Sequence, residues 1–337
     1  MKIIIDAMGG DNAPGEIVKG ALRARQELGV ELTLVGREEE IRPLLGGDDA
    51  GIEIVDAREV ITMEDDPSTA TRRKKDASMT VALNLLRDGK GDAVVSAGST
   101  GALLTGATLI VKRIRGIRRA AMAPVLPAGE HGVMLIDCGA NVECTAEYLL
   151  QFAYMGSFYA KKMMGCESPR VGLLNVGTED TKGGELQHQA FALLKAAGEQ
   201  GRIHFVGNVE GTDVFAGKAE VVVTDGFTGN VLLKGTEGVI KYMMKALKGV
   251  FYKSTKNKLA AAVLKSDLTE MKKSMDVNEI GGTAFVGISK PVIKAHGSSN
   301  AASFFAAIRQ AKIFAESGII EQIVENVDYM KVEAEHV

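Results

Sequence analysis

KIIIDAMGGDNAP, residues 2–14, is an apolar run with three consecutive isoleucines that ends in Asp6 and continues through Gly9 and Gly10 to Pro14. The continuous apolar run predicts a strand covered on both faces, as in a parallel sheet. Pro14 presets the backbone angle of a first helical turn, so we expect the two glycines to form a tight turn between strand and helix. This order of strand, glycine-rich loop and helix predicts an α/β fold with its chemistry in the loops after the strands.

The same alternation continues along the 337 residues. The predicted strands are residues 2–6, 31–36, 52–57, 92–98, 132–139, 170–177, 203–207, 220–226 and 284–289. The predicted helices are residues 14–28, 69–87, 100–113, 146–164, 184–198, 228–248 and 299–316. Because strands and helices alternate, we expect a three-layer α/β/α fold with a mostly parallel sheet, in one domain over residues 1–337.

The composition is that of an ordinary globular protein, with 46% hydrophobic and 25% charged residues. The net charge of −3 gives no general reason to bind nucleic acid. No run approaches the roughly 20 apolar residues of a membrane span. Three cysteines without metal-ligand spacing, and an N-terminus unlike a signal peptide, predict a cytoplasmic protein.

Residues 241–278 break the alternation, and we expect them to form a protruding helical pair, here called the basic arm. Its first part, residues 241–265, contains seven lysines and no acid, interleaved with apolar side chains. This pattern suits an anionic membrane surface or an acidic protein, and a dimer interface or a solvated helix remains an alternative. The predicted membrane or carrier-protein contacts are Lys253, Lys256, Lys258, Leu259, Val263, Leu264 and Lys265.

Five strand-end loops are rich in glycine and small polar residues. Besides DAMGGD (6–11), they are SAGSTGA (96–102), GTEDTKGG (177–184), DGFTGN (225–230) and AHGSSN (295–300). Glycines let an anion approach backbone N–H groups, and a helix N-terminus adds partial positive charge, so these loops suit phosphate. Each loop alone is equally an ordinary helix cap or turn. No nucleotide-binding, serine-hydrolase or metal-ligand motif is present in the sequence.

Together, DAMGGD, SAGSTGA, DTKGG, TDGFTGNVLLK and AHGSS resemble the bacterial acyl-carrier-protein:phosphate acyltransferases of phospholipid synthesis, the PlsX family. The resemblance covers essentially the whole chain. It implies a fold similar to those of phosphotransacetylases and isocitrate-type dehydrogenases. It also implies transfer of a long-chain acyl group from acyl carrier protein to inorganic phosphate, without cofactor or metal, by a homodimer.

The resemblance has consequences for location and partners. The product, acyl phosphate, is consumed at the membrane, so we expect peripheral association of a cytoplasmic protein with the inner face of the cell membrane. The membrane glycerol-3-phosphate acyltransferase that uses acyl phosphate is a further expected partner.

Direct attack of phosphate on a thioester needs a positioned phosphate and donors for the tetrahedral oxyanion. The residues expected to hold phosphate are Ser96, Ser99, Thr100 and Lys182. Asn230 is expected to face the oxyanion, and His296 to protonate the leaving thiolate, although a lone histidine is often purely structural. We thus predict Lys182, Asn230 and His296 as catalytic residues.

The remaining site predictions follow from the same loops. The full set of predicted phosphate- and substrate-binding residues is Ser96, Gly98, Ser99, Thr100, Gly101, Gly177, Thr181, Asp225, Gly226, Thr228, Ser298 and Ser299. The predicted site-shaping residues are Asp6, Gly9, Gly10 and Asp11. We expect Asp6 and Asp11 to accept hydrogen bonds from neighbouring loops or to pair with Lys182, and Cys138 to be a buried, inert thiol rather than an acyl acceptor.

Three other functions remain open from the sequence. A phosphotransacetylase acting on a short acyl-coenzyme A would share chemistry and fold. An isocitrate-type dehydrogenase would need a metal held by acids such as Asp6, Asp11 and Asp225. A non-catalytic membrane scaffold built on the basic arm would leave the phosphate-type loops without a purpose.

Overall fold

A computed structural model describes residues 1–47, 51–274 and 281–332, with side chains described up to residue 271 in the second range. Twelve strands are found in these ranges. They are β1 (Lys2–Asp6), β2 (Glu31–Gly36), β3 (Ile52–Asp56), β4 (Ala93–Ser96), β5 (Ala121–Ala123), β6 (Val125–Leu126), β7 (Val133–Ile136), β8 (Arg170–Leu174), β9 (His204–Val209), β10 (Val221–Val223), β11 (Thr283–Val286) and β12 (Val292–Lys294).

The strands form two sheets. The first has the order β3-β2-β1-β4-β12-β11-β5, and the second has the order β6-β7-β10-β8-β9. In the first sheet β11 is antiparallel to both of its neighbours, and in the second β6 is antiparallel to β7; the other pairs are parallel. The predicted α/β fold with mostly parallel strands is therefore confirmed, and its strands are distributed over two sheets.

The helices of the described ranges alternate with these strands. They are α1 (Gly15–Leu28), α2 (Glu38–Ile41), α3 (Ala70–Arg73), α4 (Ser78–Arg87), α5 (Thr100–Gly106), α6 (Ala146–Met163), α7 (Glu185–Glu199), α8 (Gly211–Phe215), α9 (Gly226–Tyr252), α10 (Thr255–Val263), α11 (Lys265–Ser274), α12 (Ala301–Glu316) and α13 (Ile319–Asn326). Short 3₁₀ turns occupy Arg42–Leu45 and Val327–Met330, and a π-helical turn, Ala107–Val111, continues α5.

The chain crosses between the sheets at Pro124. The residues before it, Ala121–Ala123, pair with β11 of the first sheet, and Val125–Leu126 pair with β7 of the second. One continuous cluster of buried apolar side chains includes Ile5 of the first sheet and Val223 of the second. The two sheets therefore share one apolar core.

Close helix packing covers the sheets. A Cβ atom at Gly20 of α1 would lie 2.8 Å from the Ala301 carbonyl oxygen, so α1 and α12 approach each other closely. On α6, a Cβ atom at Gly156 would lie 2.6 Å from Val221 of β10. Within the described ranges, no helix is both long enough and apolar enough to cross a bilayer.

Several predicted elements differ from the structure. The predicted helix 69–87 is two helices, α3 and α4, because the chain turns between them and Lys74 donates to the Val60 carbonyl and to Asp65. Strands β5, β6 and β12 were not predicted, since two or three residues are too few to show a periodic pattern. Helix α9 starts earlier and ends later than the predicted 228–248.

The basic arm comprises the last part of α9, then α10 and α11. Its apolar side chains are largely uncovered: Tyr242 is 74% exposed and Val263 is 83% exposed. The turn between α9 and α10 is fixed by Asn257, whose side chain donates to the Val250 carbonyl at 2.7 Å. Residues 275–278 of the predicted arm lie outside the described residues.

Candidate active site

The carboxyl ends of β1, β4 and β12 place three polar side chains in one row. In the register of these neighbouring parallel strands, Asp6 pairs with Ser96, and Ser96 pairs with Lys294. Residues paired in this way point to the same face of a sheet. A carboxylate, a hydroxyl and an ammonium therefore lie side by side where ligands bind in α/β folds.

Asp6 is buried and accepts two short hydrogen bonds. Its Oδ1 accepts from the Ser78 hydroxyl and its Oδ2 from the Ser96 hydroxyl, both at 2.6 Å. Burial raises the pKa of Asp6, and the two serine hydroxyls and the nearby Lys294 oppose that shift. Ser96 was predicted to hold phosphate, but its only O–H donates to Asp6, so the structure gives this hydroxyl a supporting position instead.

Lys294 is a buried lysine that the sequence analysis missed. Its residue surface is 7% exposed, and its Nζ donates to the carbonyl oxygens of Ala97, at 3.3 Å, and Ala295. Burial lowers the pKa of Lys294 to about 8, and the negative charges of Asp6 and Asp11 partly counteract this. The negative charges of Asp6 and Asp11 thus act on Lys294. Lys182, the predicted alternative partner of these two acids, pairs with Glu179 at 3.8 Å.

The Gly9-Gly10 turn presses against the loop after β4. A Cβ atom at Gly9 would lie 2.5 Å from Asp6 Oδ2 and 2.7 Å from the Gly98 nitrogen. Gly10 has a φ of +102°, a conformation that favours glycine. The next residue, Asp11, donates its backbone N–H to the Gly297 carbonyl at 2.8 Å. Three strand-end loops thus meet at the row formed by Asp6, Ser96 and Lys294.

The loop that follows Lys294 contains His296 and two serines. The Ser298 N–H donates to Nδ1 of His296 at 3.2 Å, so the neutral ring has its proton on Nε2. Desolvation and the positive charge of Lys294 lower the pKa of His296, so the ring is neutral at pH 7. Ser299 is buried, and its hydroxyl has no hydrogen-bond partner among the described residues.

A second buried carboxylate, Asp137, follows β7 of the second sheet. Its Oδ1 accepts from the backbone N–H groups of Met122, Cys138 and Ala140 at 2.9, 2.6 and 3.3 Å. Its Oδ2 accepts from the backbone and side-chain N–H groups of Asn141 at 2.6 and 3.0 Å. Burial raises the pKa of Asp137, and these donors oppose the shift. This site could not be predicted from the sequence, because nearly every residue has a backbone N–H group and such donors form no recognisable pattern of residue types.

Helix α9 begins directly against this carboxylate. A Cβ atom at Gly226 would lie 2.7 Å from Asp137 Oδ2, so the start of the helix requires glycine there. Asp225 caps the helix by accepting from the Thr228 backbone N–H at 2.8 Å and from its hydroxyl at 2.7 Å. Asp225 and Thr228 were predicted to bind substrate, but these side chains are occupied with each other. Asn230 lies beside Gly139 and makes no side-chain hydrogen bond within the described ranges.

The loop with Lys182 follows β8 of the second sheet. It is held by two asparagines: Asn175 donates to the Lys182 carbonyl at 2.9 Å, and Asn208 donates to the Glu179 carbonyl at 2.8 Å. The Lys182 side chain itself is 47% exposed. Gly183 adopts a φ of +97°, which turns the chain into α7. Hydrogen bonds thus fix the backbone of this loop, and the flexible Lys182 side chain lies at its surface.

Charged residues of α9 act electrostatically on groups at both sheet edges. The positive charge of Lys234 lowers the pKa of Lys294 in the first sheet and also acts on Cys138 in the second. Glu237 and Lys241, on the same helix, act on His296. Lys234 is therefore within electrostatic range of both sheet edges. Burial raises the pKa of the Cys138 thiol to about 12, which makes it a poor nucleophile.

The predicted metal ligands of a dehydrogenase do not come together. Asp6 lies at the end of β1, whereas Asp225 precedes α9 beside the second sheet. In the described parts of the chain, no group of three or more histidine, cysteine, aspartate or glutamate side chains is arranged to hold a metal ion.

Solved structures with a similar fold are phosphotransacetylases and a dehydrogenase. A phosphotransacetylase from Streptococcus pyogenes superposes with a TM-score of 0.62 at 19% identity, covering 94% of both chains. The EutD phosphotransacetylase from Staphylococcus aureus gives 0.58 at 17% identity, covering 93% of this chain and 94% of the other. A putative 4-hydroxythreonine-4-phosphate dehydrogenase from Salmonella typhimurium gives 0.52 at 15% identity, covering 93% and 98%. The predicted similarity of fold is confirmed.

Sequence relatives identify the family. A family model described as "Fatty acid synthesis protein" matches residues 1–322. The phosphate acyltransferase of Oceanobacillus iheyensis is 49% identical over 337 residues, covering 99% of this chain and all of that protein. The phosphate acyltransferase of Bacillus cytotoxicus is 50% identical over 325 residues, covering 96% and 97%. With its predicted motifs, its fold and these full-length relatives in agreement, the chain belongs to the phosphate acyltransferase family.

Proposed function

We propose that this enzyme transfers a long-chain acyl group from acyl carrier protein to inorganic phosphate, producing acyl phosphate for phospholipid synthesis. The observation that supports this most strongly is the similarity to phosphate acyltransferases over nearly the full length of the chain, at 49% and 50% identity. Two sheet edges, each with its own polar loops, suit a reaction with two substrates.

In the proposed reaction a phosphate oxygen attacks the thioester carbonyl directly. The new C–O bond produces a tetrahedral oxyanion, which collapses by breaking the C–S bond and releasing the pantetheine thiolate. The loop with Gly98, Ser99, Thr100 and Gly101 holds the phosphate, and the loop with Gly177 and Lys182, which follows β8 of the second sheet, belongs to the proposed substrate-binding surface. Catalysis then depends on alignment and on donors placed for the developing charge.

Asn230 and His296 are the proposed donors. Asn230 has a free amide group beside Gly139, which suits a hydrogen bond to the oxyanion. His296 presents Nε2–H, because Nδ1 accepts from Ser298. A neutral imidazole suits a hydrogen bond to the leaving sulfur better than full proton transfer to it. Thr181, Ser298 and Ser299 complete the proposed substrate-binding loops, and Gly226 allows α9 to start against Asp137.

For the basic arm we propose contact with anionic surfaces. Its exposed lysines and the apolar residues Leu259, Val263 and Leu264 suit an anionic lipid surface, where each lysine contributes about 1 kcal/mol. Acidic acyl carrier protein is a second proposed partner of the same lysines. Membrane contact would place a cytoplasmic enzyme at the inner face of the cell membrane, near the membrane acyltransferase that consumes acyl phosphate.

We propose that a second copy of the chain packs against α9. This helix exposes Val239, Tyr242, Met243 and Val250, and a homodimer would bury such a surface. Analytical ultracentrifugation should give twice the 35.8 kDa chain mass. A monomer at micromolar concentration would refute the dimer.

Liposome co-sedimentation tests the arm. We expect salt-sensitive binding to anionic vesicles, which Leu259→Glu or Leu264→Glu weakens because a carboxylate resists insertion. The matched control is Val324→Glu, an exposed apolar position on α13 outside the arm. If the arm variants sediment like the wild type, the arm is not an anchor.

The decisive assay for the function is the release of free carrier protein from long-chain acyl carrier protein by the purified enzyme. We expect release to depend on added phosphate and to yield acyl phosphate. The comparison substrate is acetyl-coenzyme A with phosphate. Turnover of acetyl-coenzyme A and none of long-chain acyl carrier protein would instead identify a phosphotransacetylase of short acyl groups.

A further inference from the structure

We propose that Lys294 is the cation that binds the phosphate nucleophile, so that phosphate lies over the carboxyl ends of β1, β4 and β12. The proposal rests on the proposed transfer to phosphate and adds the residue that selects the acceptor. None of the sequence motifs includes Lys294, which lies one residue before the AHGSSN loop.

The position of Lys294 follows from strand register. Lys294 is the last residue of β12 and is paired with Ser96, which in turn is paired with Asp6. The loops after all three strands surround it, and its Nζ bonds to the carbonyl of Ala97 in the second of them. An anion beside this ammonium would therefore be within reach of the glycine-rich 97–101 loop.

Among the described residues, no carboxylate is in direct contact with Lys294. An ammonium group has three N–H donors, and the two partners of Lys294 within the described ranges are uncharged carbonyl oxygens. Asp6 attracts it through space while both carboxylate oxygens accept from serines. Burying a cation without a paired anion is unfavourable. A bound phosphate would supply the missing negative charge and an acceptor for the third N–H.

The charged groups around Lys294 are of mixed sign. Asp6 and Asp11 act on Lys294 with negative charge, Lys234 of α9 acts on it with positive charge, and Lys294 in turn acts on His296. Asp11 is exposed to solvent, so its charge is screened more than that of the buried Asp6. Nearby, the buried Ser299 hydroxyl has no partner among the described residues and is a candidate donor to the same anion.

The site should respond to pH in a defined way. With a pKa of about 8 in the free enzyme, Lys294 is charged at pH 7 and loses its proton as the pH rises above 8. Phosphate is already a dianion there, so its own charge does not change. Its affinity should drop to about half at pH 8, relative to the fully protonated lysine, and then fall with a slope that approaches tenfold per pH unit.

Lys294→Met tests the proposal, because it removes the charge and keeps the length of the side chain. The matched control is Lys290→Met. Lys290 precedes β12 at its other end and also donates to two carbonyls, those of Leu86 at 2.7 Å and Arg87 at 3.4 Å. We expect Lys294→Met to raise the KM for phosphate by about 10- to 100-fold, the range for losing a charged hydrogen bond. The KM for acyl carrier protein and all constants of Lys290→Met should stay within about twofold.

Each outcome decides one question. A folded Lys294→Met enzyme, by circular dichroism, with the wild-type KM for phosphate overturns the proposal and leaves the function intact. If the variant does not fold, calorimetric titration of the wild type with phosphate from pH 7 to pH 10 decides, and flat affinity overturns it. A wild type that binds phosphate with the expected pH profile but releases no carrier protein refutes the proposed function alone.

Discussion

Asp6 and Asp137 occupy the same place in the two sheets, at the end of a buried parallel strand, and are held in different ways. Asp6 accepts from two serine hydroxyls and faces a lysine. Asp137 accepts from five N–H groups, four of them on the backbone. A hydroxyl rotates and can donate or accept, whereas a backbone N–H only donates in a fixed direction. The first edge can therefore adjust to a change of charge, and the second holds one shape.

This difference matches the two halves of the proposed reaction. The edge at Asp6 has the buried cation proposed to bind phosphate, and a bound phosphate would bring additional negative charge to this edge. The edge at Asp137 fixes the 138–141 loop, against which Asn230 lies. A donor for an oxyanion must be held still before the charge develops, and a backbone cage provides that rigidity.

The largest effect is expected from replacing the caged carboxylate. Asp137→Asn puts an NH₂ group where an oxygen accepts, so at least two buried N–H donors lose their acceptor at about 1–3 kcal/mol each. Asp6→Asn should cost only about 1 kcal/mol, because a serine hydroxyl can turn and accept from the new NH₂. Urea unfolding of both variants measures the comparison. Equal losses of unfolding free energy would show that the two sites are not held differently.

Asn230→Ala should lower turnover by about 10²–10³-fold, the range measured when one oxyanion donor is removed. The KM for phosphate should change little, because Asn230 belongs to the second edge. Asn326→Ala, on α13, is the matched control, since its amide bonds only within its own helix, to Gln322. Steady-state kinetics with carrier-protein release as the signal gives both constants. Near wild-type turnover would remove Asn230 from the proposed mechanism.

Asp6→Asn should also change the pH dependence of phosphate binding. Asp6 raises the pKa of Lys294 against the effect of burial, so removing its charge lets that pKa fall below about 8. The pH above which phosphate affinity declines should move down by up to about 1 unit. Calorimetric titration across pH 6–9 measures the shift. An unchanged profile would mean that Asp6 does not act on Lys294.

The smallest effect is expected at Cys138. Its pKa of about 12 leaves almost no thiolate at pH 8, so iodoacetamide should not modify it in the folded enzyme. Cys138→Ala should keep turnover within about twofold. Mass spectrometry after incubation with acyl carrier protein that carries a long-chain acyl group, without phosphate, provides the complementary test. A covalent acyl group on Cys138 would replace direct attack with an acyl-enzyme route.

Elements formed by residues that are contiguous in the chain can be predicted from the sequence, whereas elements that depend on pairing with distant strands cannot. The turn after β1 is visible from residues 2–14 because strand, glycines and Pro14 are contiguous. Strand β12 has only three residues, and the pairing that defines it joins Lys294 to Ser96, far away in the chain. Without that pairing Lys294 looks like any surface lysine, so the row beside Asp6 could not be predicted.

Two other features also required the tertiary structure. The change from one sheet to the other at Pro124 depends on partners from both halves of the chain. The cage around Asp137 consists mostly of backbone donors, which any sequence possesses. By contrast, Asp225 and Thr228 are residue types that are preferred at helix N-termini. An ordinary cap or turn could therefore be predicted there as an alternative to substrate binding.

The most direct test of which edge receives phosphate is a crystal structure of the enzyme with phosphate bound. The expected result is a phosphate over β1, β4 and β12, with one oxygen about 2.9 Å from Lys294 Nζ and others near the 97–101 loop. A phosphate held at Lys182 on the second edge, with Lys294 still bonded only to carbonyls, would contradict the account.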